Sequence, residues 1–261
     1  MAIITLTTDF GTADGYVGAM KGVIARITGS HPAPVVVDLA HDIPPGDIAH
    51  AAWVVATATT EFPHGSIHVV VVDPGVGGSR REVIIRSGGR WYVGPDNGVF
   101  AYIAERSSEV YVIENERFRA EHVSRTFHGR DVFAPTAAAI ASGEDPSTAG
   151  PGPAIKLTGR LPWGPRERGV GRIVHIDRFG NLISDLPEAE AGTAIAVAGQ
   201  VLPLVGTYED VASGQLLAYI GSAGTVEIAV RDGRADRQLA IARGALVHPI
   251  SGELPVRGPY R

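Results

Sequence analysis

The stretch Val69-Val-Val-Val-Asp-Pro-Gly-Val-Gly-Gly-Ser-Arg80 decides the fold class of this sequence. Its run of β-branched residues predicts a strand buried on both faces, as occurs in parallel sheets covered by helices. The strand stops at Asp73, and the glycines that follow permit a tight turn. Because ligands of open α/β sheets bind at the carboxyl ends of strands, Asp73 and Arg80 are candidate site residues. The plainer alternative is an Asp that caps a turn, followed by a solvated Arg.

Strands and helices alternate through the first part of the sequence. Strand patterns occupy residues 3–8, 35–38 and 66–72, and helical patterns occupy residues 17–27 and 48–59, the second with Asp47 as its N-cap. Strict alternation predicts parallel strands joined by right-handed crossovers. The pattern continues with a hairpin at 83–93, a helix at 99–105, a strand at 110–113 and a helix at 132–142. We therefore predict an α/β domain over residues 1–150, with a mostly parallel sheet flanked by helices.

The composition changes after this region. Proline and glycine become frequent between residues 143 and 171, which predicts a linker at 151–168. Short strand patterns separated by turns follow at 172–176, 194–197, 201–205, 216–220, 225–230 and 245–247. Since no long helical pattern accompanies them, residues 169–261 are predicted to form a smaller all-β, barrel-like domain.

The overall composition limits the class of partner. The chain has 261 residues, 44% of them hydrophobic, a net charge of −5 and no cysteine. The negative charge gives no electrostatic basis for binding nucleic acid or an anionic membrane. The absence of cysteine excludes disulfides, thiolate nucleophiles and Cys-ligated metal sites. With no leader pattern and no membrane-spanning apolar run, a cytoplasmic protein that binds small molecules is expected.

Four further places carry polar groups suited to chemistry. Asp9 follows the first strand, and His128 lies in a polar loop just before a predicted helix, from which an imidazole can reach a cleft. In the second domain, residues 177–181 combine an acid, an exposed aromatic residue and an amide, and residues 221–224 form a turn that could hold a carboxylate. Ordinary hairpin turns and a structural histidine are the alternatives.

Several motifs occur together in a recognisable order. They are Thr7-Thr-Asp-Phe-Gly11, Val72-Asp-Pro-Gly-Val-Gly77 with Arg80, Pro95-Asp-Asn-Gly98, Thr126-Phe-His-Gly-Arg-Asp131, Asp177-Arg-Phe-Gly-Asn181, Thr207-Tyr208 and Glu227-Ile-Ala-Val230. In this order, over residues 3–247, the sequence resembles the S-adenosyl-L-methionine (SAM) hydroxide adenosyltransferases. That family comprises adenosine-forming SAM hydrolases related to the fluorinating and chlorinating enzymes.

The resemblance implies a function and a set of site residues. The function is attack of water at C5′ of SAM to give adenosine and L-methionine, with SAM as substrate and no cofactor. Asp73, Arg80 and His128 would be a triad that holds and activates water, and Asp9 would accept both ribose hydroxyls. The other implied substrate contacts are Phe179, Asn181 and Tyr208 around the adenine, Ser222 near the methionine carboxylate, and Glu227 and Val230 in the last motif.

The resemblance also implies a homotrimer whose sites lie between the N-terminal domain of one subunit and the C-terminal domain of the next. Two positions depart from the family pattern. Arg231 stands where many relatives have Asn, and Ala223 stands where the halogenating enzymes have Arg.

Three alternative functions remain at this point. A SAM-dependent halogenase would build its halide pocket at the places of Gly46, Asp73, Val76 and Gly129, where a carboxylate would repel the halide. A non-catalytic SAM- or adenosine-binding protein would use the triad for structure only. A metallohydrolase using Asp9, Asp73 and His128 lacks the ligand spacings that such sites commonly show, and no metal is expected.

Overall fold

A computed structural model of the protein describes residues 1–29, 32–104 and 108–251. The chain divides into two compact units, Met1–Pro162 and Trp163–Arg261. The first unit contains β1 (Ile3–Thr8), α1 (Tyr16–Thr28), β2 (Val35–Ala40), α2 (Ile48–Ala58), β3 (Ile67–Val71), β4 (Glu82–Ser87), β5 (Arg90–Pro95), α3 (Ala101–Ala104), β6 (Glu109–Val112) and α4 (Ala134–Ala141).

These strands form one mixed sheet in the order β2-β1-β3-β5-β4-β6. Strands β2, β1, β3 and β5 are parallel, whereas β4 is antiparallel to both β5 and β6. Every residue of β3 is buried. Val69 and Val71 belong to one apolar cluster with residues of α1 and α4, and Val70 belongs to another with residues of α2 and α3. The predicted parallel strands buried between two layers of helices are confirmed, and Asp73 follows the central one.

The ends of three helices can be compared with the bounds predicted from the sequence. The Asp47 side chain accepts a hydrogen bond from the backbone N–H of His50 at 3.0 Å, so the predicted N-cap of α2 is present. The last helix of the unit begins earlier than predicted, because a π-helical turn at Gly129–Phe133 precedes α4. Helix α3 is shorter than the predicted 99–105 segment, and residue 105 lies outside the described residues.

Part of the predicted linker is bound to the first unit. The backbone N–H groups of Val110 and Val112 donate to the carbonyls of Pro153 and Pro151, both at 2.8 Å. The buried carboxylate of Asp96 accepts from the backbone N–H of Thr158 and Gly159 at 3.0 Å. These hydrogen bonds extend the first unit into the segment that composition alone assigned to a linker.

The second unit is an antiparallel, nearly closed barrel. Its elements are β7 (Gly171–Ile176), β8 (Leu182–Pro187), β9 (Ala194–Val197), β10 (Gln200–Pro203), β11 (Leu216–Ile220), β12 (Thr225–Val230), α5 (Ala235–Leu239) and β13 (Leu246–Ile250). The sheet order is β10-β9-β13-β7-β8-β12-β11, and the backbone N–H of Val205 donates to Ala218 across the two edges at 2.9 Å. The predicted all-β, barrel-like architecture is confirmed.

Strand β8 is absent from the sequence prediction because two polar residues, Ser184 and Asp185, interrupt its apolar pattern. In the structure both side chains have hydrogen-bond partners within the sheet. Ser184 is buried and donates to the carbonyl of Val226 at 2.6 Å, and Asp185 accepts from the backbone N–H of Arg172 at 2.6 Å. Buried polar groups with partners are compatible with a central strand. No helix among the described residues is long and apolar enough to cross a membrane.

Candidate active site

Asp73, Arg80 and His128 lie together in the first unit. The Arg80 guanidinium donates to both carboxylate oxygens of Asp73. Its Nε lies 3.1 Å from Oδ1 and 2.9 Å from Oδ2, and its Nη2 lies 2.6 Å from Oδ2. The same Nη2 lies 2.8 Å from Nδ1 of His128. The side chains of Asp73, Arg80 and His128 are only 3%, 9% and 10% exposed. The three residues that the resemblance grouped are therefore in contact.

Backbone geometry brings the loop after β3 against the loop that carries His128. Gly77 has φ +74°, a conformation that glycine adopts without strain. A Cβ atom at this position would collide with the carbonyl oxygen of Arg125, three residues before His128. The glycine at position 77 thus allows the close contact that places Asp73 and Arg80 next to the imidazole.

Glu82 is a fourth member of this cluster, and the sequence interpretation missed it. Its Oε1 accepts from Nη1 of Arg80 at 2.7 Å and lies 3.0 Å from Nδ1 of His128. Its Oε2 is 3.4 Å from Nη2 of Arg119. Glu82 is the first residue of β4, two positions after Arg80. An acid beside a candidate catalytic arginine at the start of a strand was a signal that could have identified it.

The environment shifts the pKa values of the two basic groups in opposite directions. Burial tends to lower the pKa of Arg80, but its hydrogen bonds and ion pairs with Asp73 and Glu82 outweigh burial and hold the pKa above the usual value. Burial and the neighbouring Arg80 charge lower the pKa of His128, and Glu82 and Asp73 only partly oppose them. At neutral pH the imidazole is therefore uncharged and able to accept a proton.

Asp73 and His128 border a cavity of about 380 Å³ in the first unit, and Arg80 contacts both residues. Its wall consists of Asp9, Phe10, Pro45, Gly46, Val71, Asp73, Pro74, Val76, Thr126, Phe127, His128 and Gly129. Asp9 follows β1, and its Oδ2 accepts from the backbone N–H of Gly46 at 2.7 Å. This contact orients the Asp9 carboxylate, and the carboxylate of Asp73 belongs to the same cavity wall.

Aromatic residues surround one side of this cavity. The rings of Phe10 and Phe127 meet edge to face with their centroids 5.9 Å apart. Tyr16 contacts both rings at 5.9 and 5.3 Å, and the guanidinium of Arg130 lies 5.0 Å from the Phe127 centroid. Phe10 and Phe127 appeared in the sequence motifs only as neighbours of Asp9 and His128. They provide an apolar wall beside the charged groups.

The second unit contains a separate polar chain of side chains. Tyr219 donates to Oε2 of Glu227 at 2.5 Å, so its oxygen accepts from the hydroxyl of Tyr208 at 2.9 Å. Tyr208 in turn accepts from the amide of Asn181 at 3.1 Å. The second amide hydrogen of Asn181 goes to Asp177 at 2.9 Å. Among the described residues no donor is directed at Oδ1 of Asn181, which leaves that atom as an acceptor for a ligand.

The proton positions in this chain follow from burial. Burial raises the pKa of the Tyr219 phenol, and the hydrogen bonds to Glu227 and Tyr208 raise it further. Burial also raises the pKa of Glu227, opposed by the Tyr219 hydrogen bond and assisted by the Asp177 charge. Tyr219 therefore stays protonated and remains a donor. The sequence interpretation missed Tyr219, although it lies directly opposite Glu227 in the β11–β12 hairpin.

The other predicted contacts of the second unit differ in exposure. Phe179 is 73% exposed in the turn between β7 and β8, and Ser222 is exposed in the turn between β11 and β12. Val230 is 4% exposed and packs in the barrel core. The side chain of Val230 is therefore not available to a ligand. The Arg231 guanidinium donates to the Val211 carbonyl and to Glu209, both at 2.8 Å.

Two of the alternative functions can be compared with this geometry. The four places corresponding to a halide pocket, Gly46, Asp73, Val76 and Gly129, all line the cavity, but none supplies a hydroxyl or an aromatic ring. Asp73 instead supplies a carboxylate held by Arg80. For the metallohydrolase alternative, no cluster of three or more possible metal ligands occurs within residues 1–29, 32–104 and 108–251.

Two solved structures are similar to this protein over nearly its whole chain. In crystal structures, an uncharacterized conserved protein from Thermotoga maritima has TM-score 0.84 at 30% identity, covering 94% of this chain and 99% of that one. A conserved hypothetical protein from Thermus thermophilus has TM-score 0.82 at 37% identity, with 96% and 100% covered.

Curated relatives carry one common name. The (R)-S-adenosyl-L-methionine hydrolase of Thermus thermophilus is 40% identical over 254 residues, covering 94% of this chain and 98% of its own length. The protein of the same name from Salinispora tropica is 38% identical over 264 residues, covering 95% and 98%. The family models for the SAM hydroxide adenosyltransferase N-terminal and C-terminal domains match residues 4–150 and 171–248. The chain therefore belongs to the SAM hydroxide adenosyltransferase family.

Proposed function

We propose that this protein hydrolyses SAM to adenosine and L-methionine by attack of water at C5′. The observation that carries the proposal is the contact of Arg80 with both Asp73 and His128, two residues that line a cavity together with Asp9. The names of the curated relatives support the same reaction. No separate cofactor is required, because the sulfonium of SAM is already an excellent leaving group.

The reaction needs a positioned nucleophile. The water oxygen forms a bond to C5′ while the bond from C5′ to sulfur breaks, and sulfur keeps the electron pair, so methionine leaves as a neutral thioether. The water loses one proton to a base in the site. Holding water in line and removing its hydration shell supply much of the rate enhancement. The buried Asp73 and the uncharged His128 are suited to orient the water and accept its proton.

In this proposal, residues of both units bind the substrate. Asp9 would accept the ribose hydroxyls, since one carboxylate offers several lone pairs and Gly46 uses only one of them. Phe179 and Tyr208 would bound the adenine, and the free Oδ1 of Asn181 would accept from its exocyclic amine. Ser222 would contact the methionine carboxylate, and Glu227 and the Val230 backbone would complete the adenine side.

The preferred epimer of the substrate is also part of the proposal. The sulfonium sulfur is stereogenic because it carries three different groups and a lone pair. Since L-methionine already specifies the α-carbon, the prefix in the relatives' names refers to the R configuration at sulfur. We expect this chain to consume the R epimer faster than the S epimer.

The proposed assembly is a homotrimer in the cytoplasm, with each site formed by the first unit of one subunit and the second unit of its neighbour. Light scattering should then give a mass three times that of the chain, and activity per subunit should fall on dilution below the association constant. A monomer that is fully active at high dilution would contradict a shared site.

The reaction is tested by measuring the products formed from SAM in H₂¹⁸O. The enzyme is first treated with a strong metal chelator, and the two sulfur epimers of SAM are assayed separately. The label should appear in the 5′-hydroxyl of adenosine and never in methionine, and chelation should leave the rate unchanged. Added chloride or fluoride should give no halogenated nucleoside. Binding of SAM without turnover would instead favour a binding protein, and label in a methionine-derived product would refute attack at C5′.

A further inference from the structure

The Nδ1 atom of His128 faces two groups with opposite requirements. Nη2 of Arg80 lies 2.8 Å away and Oε1 of Glu82 lies 3.0 Å away. An arginine N–H can only donate, and an ionised carboxylate can only accept. One ring nitrogen of a neutral imidazole therefore satisfies either Arg80, as a bare nitrogen, or Glu82, as an N–H. The choice decides whether Nε2 carries the proton or the lone pair.

The other hydrogen bonds of Arg80 favour Glu82, rather than Arg80, as the hydrogen-bond partner of Nδ1. Arg80 already directs Nε and Nη2 to Asp73 and Nη1 to Glu82, so its guanidinium has anionic partners without the imidazole. Ionic hydrogen bonds of this kind are stronger than a bond to a neutral nitrogen. Oε1 of Glu82 is an acceptor within hydrogen-bond distance of Nδ1. Among the described residues, no hydrogen bond involves Nε2 of His128, a residue of the cavity wall.

We propose that Glu82 is a positioning residue that accepts the Nδ1–H of His128, so that Nε2 keeps its lone pair and receives the proton of the nucleophilic water. This inference rests on the proposed function and assigns the base within it. Asp73, which accepts three hydrogen bonds from Arg80, then orients the water without being its final proton acceptor.

The charges that face the imidazole make this assignment testable by pH. Asp73, Arg80 and Glu82 act on His128 directly, and Asp131, paired with Arg130, faces it from the following turn. Burial and Arg80 lower the pKa of His128, while Glu82 raises it through both its charge and its hydrogen bond. Removing the Glu82 charge therefore lowers this pKa further, and the acid limb of kcat should move to lower pH.

The first experiment reads the tautomer in the unaltered protein. ¹⁵N NMR of the histidine side chains at pH 8, with the His128 signals assigned by their loss in His128→Gln, distinguishes the protonated nitrogen from the bare one. We expect a proton on Nδ1 and a bare Nε2. A proton on Nε2 would overturn the proposal, whether or not the protein hydrolyses SAM.

The second experiment removes the charge with Glu82→Gln. The matched control is Glu109→Gln, which also removes an acid paired with an arginine of β4, at 3.6 Å from Arg86. In Glu82→Gln we expect kcat to fall at least about tenfold, and by no more than the 10²–10⁴-fold contribution typical of a general base, with KM nearly unchanged. The acid limb should move to lower pH, and Glu82→Asp should recover part of the rate.

An NMR titration of His128 in Glu82→Gln separates the two proposals. A lowered His128 pKa in a protein that turns over SAM supports both. A lowered pKa where even the unaltered protein is inactive supports the role of Glu82 on the imidazole but refutes the proposed function. An unchanged pKa and an unchanged acid limb, with only a loss of thermal stability, would make Glu82 a structural residue and overturn the inference.

Discussion

The predicted ligand contacts of the two units differ in charge and in exposure to solvent. In the first unit the charged side chains of Asp73 and Arg80 are buried and paired with one another, and Asp73 borders a concave cavity. In the second unit neutral phenols and an amide form a chain, while Phe179 and Ser222 are exposed to solvent. The first arrangement can organise water by itself. The second presents a stacking surface and hydrogen-bonding groups that a ligand must cover. Chemistry and recognition should therefore respond differently to mutation.

The largest effect is expected at the triad. His128→Ala removes the proposed base, and Asp73→Asn removes the charge that Arg80 orients, so kcat should fall by about 10²–10⁴-fold in each. Adenosine should still bind, because neither residue is assigned to it. Single-turnover kinetics and calorimetry with adenosine measure the two effects. Asp42→Asn, in an exposed loop position, is the matched control. Normal turnover in both variants would refute the triad.

Asp9 lies in the same cavity but is assigned to binding. In Asp9→Asn the amide oxygen can still accept from Gly46, and the NH₂ group then faces the ribose, which loses its charged acceptor. The cost should be about 1.5–3 kcal/mol, or roughly 10- to 150-fold in affinity. Adenosine affinity and KM should change together. If kcat alone fell, Asp9 would belong to the chemical step instead.

A smaller loss is expected at the exposed aromatic residue of the second unit. Stacking of a base on an aromatic ring is worth about 1–3 kcal/mol, so Phe179→Ala should weaken adenosine binding by about tenfold. Because Phe179 is 73% exposed, the free energy of unfolding should change by less than about 0.5 kcal/mol. Val201→Ala, at another exposed apolar position, serves as the control. Strong destabilisation without weaker binding would assign Phe179 to subunit contacts alone.

The smallest effect is expected at Ser222. A hydroxyl in an exposed turn contributes about 0.5–1.5 kcal/mol through one hydrogen bond, so Ser222→Ala should raise KM for SAM a few-fold. Affinity for adenosine should not change, since adenosine lacks the methionine carboxylate. Ser213→Ala in another exposed turn is the control. An equal loss for adenosine and SAM would remove Ser222 from the methionine side.

The sequence predicted the scaffold better than the contacts within the site. The valine run before Asp73 predicted a buried parallel strand, and short strand patterns separated by turns predicted most barrel strands. The grouping of Asp73, Arg80 and His128 came from the resemblance to a family, because residues far apart in sequence give no distance. Glu82 and Tyr219 were missed because each occupies an ordinary strand position. The structure pairs Tyr219 with Glu227, whereas the predicted turn at residues 221–224 would pair it with Val226.

The contact of Gly77 with the carbonyl of Arg125 has a mechanical consequence. The loop carrying Asp73 and Arg80 touches the segment before His128 through backbone atoms, with no flexible side chain between them. A displacement of either loop must therefore be transmitted to the other. Amide hydrogen exchange in residues 75–79 and 124–128 should slow together when a ligand fills the cavity, and a side chain at position 77 should accelerate exchange in both segments.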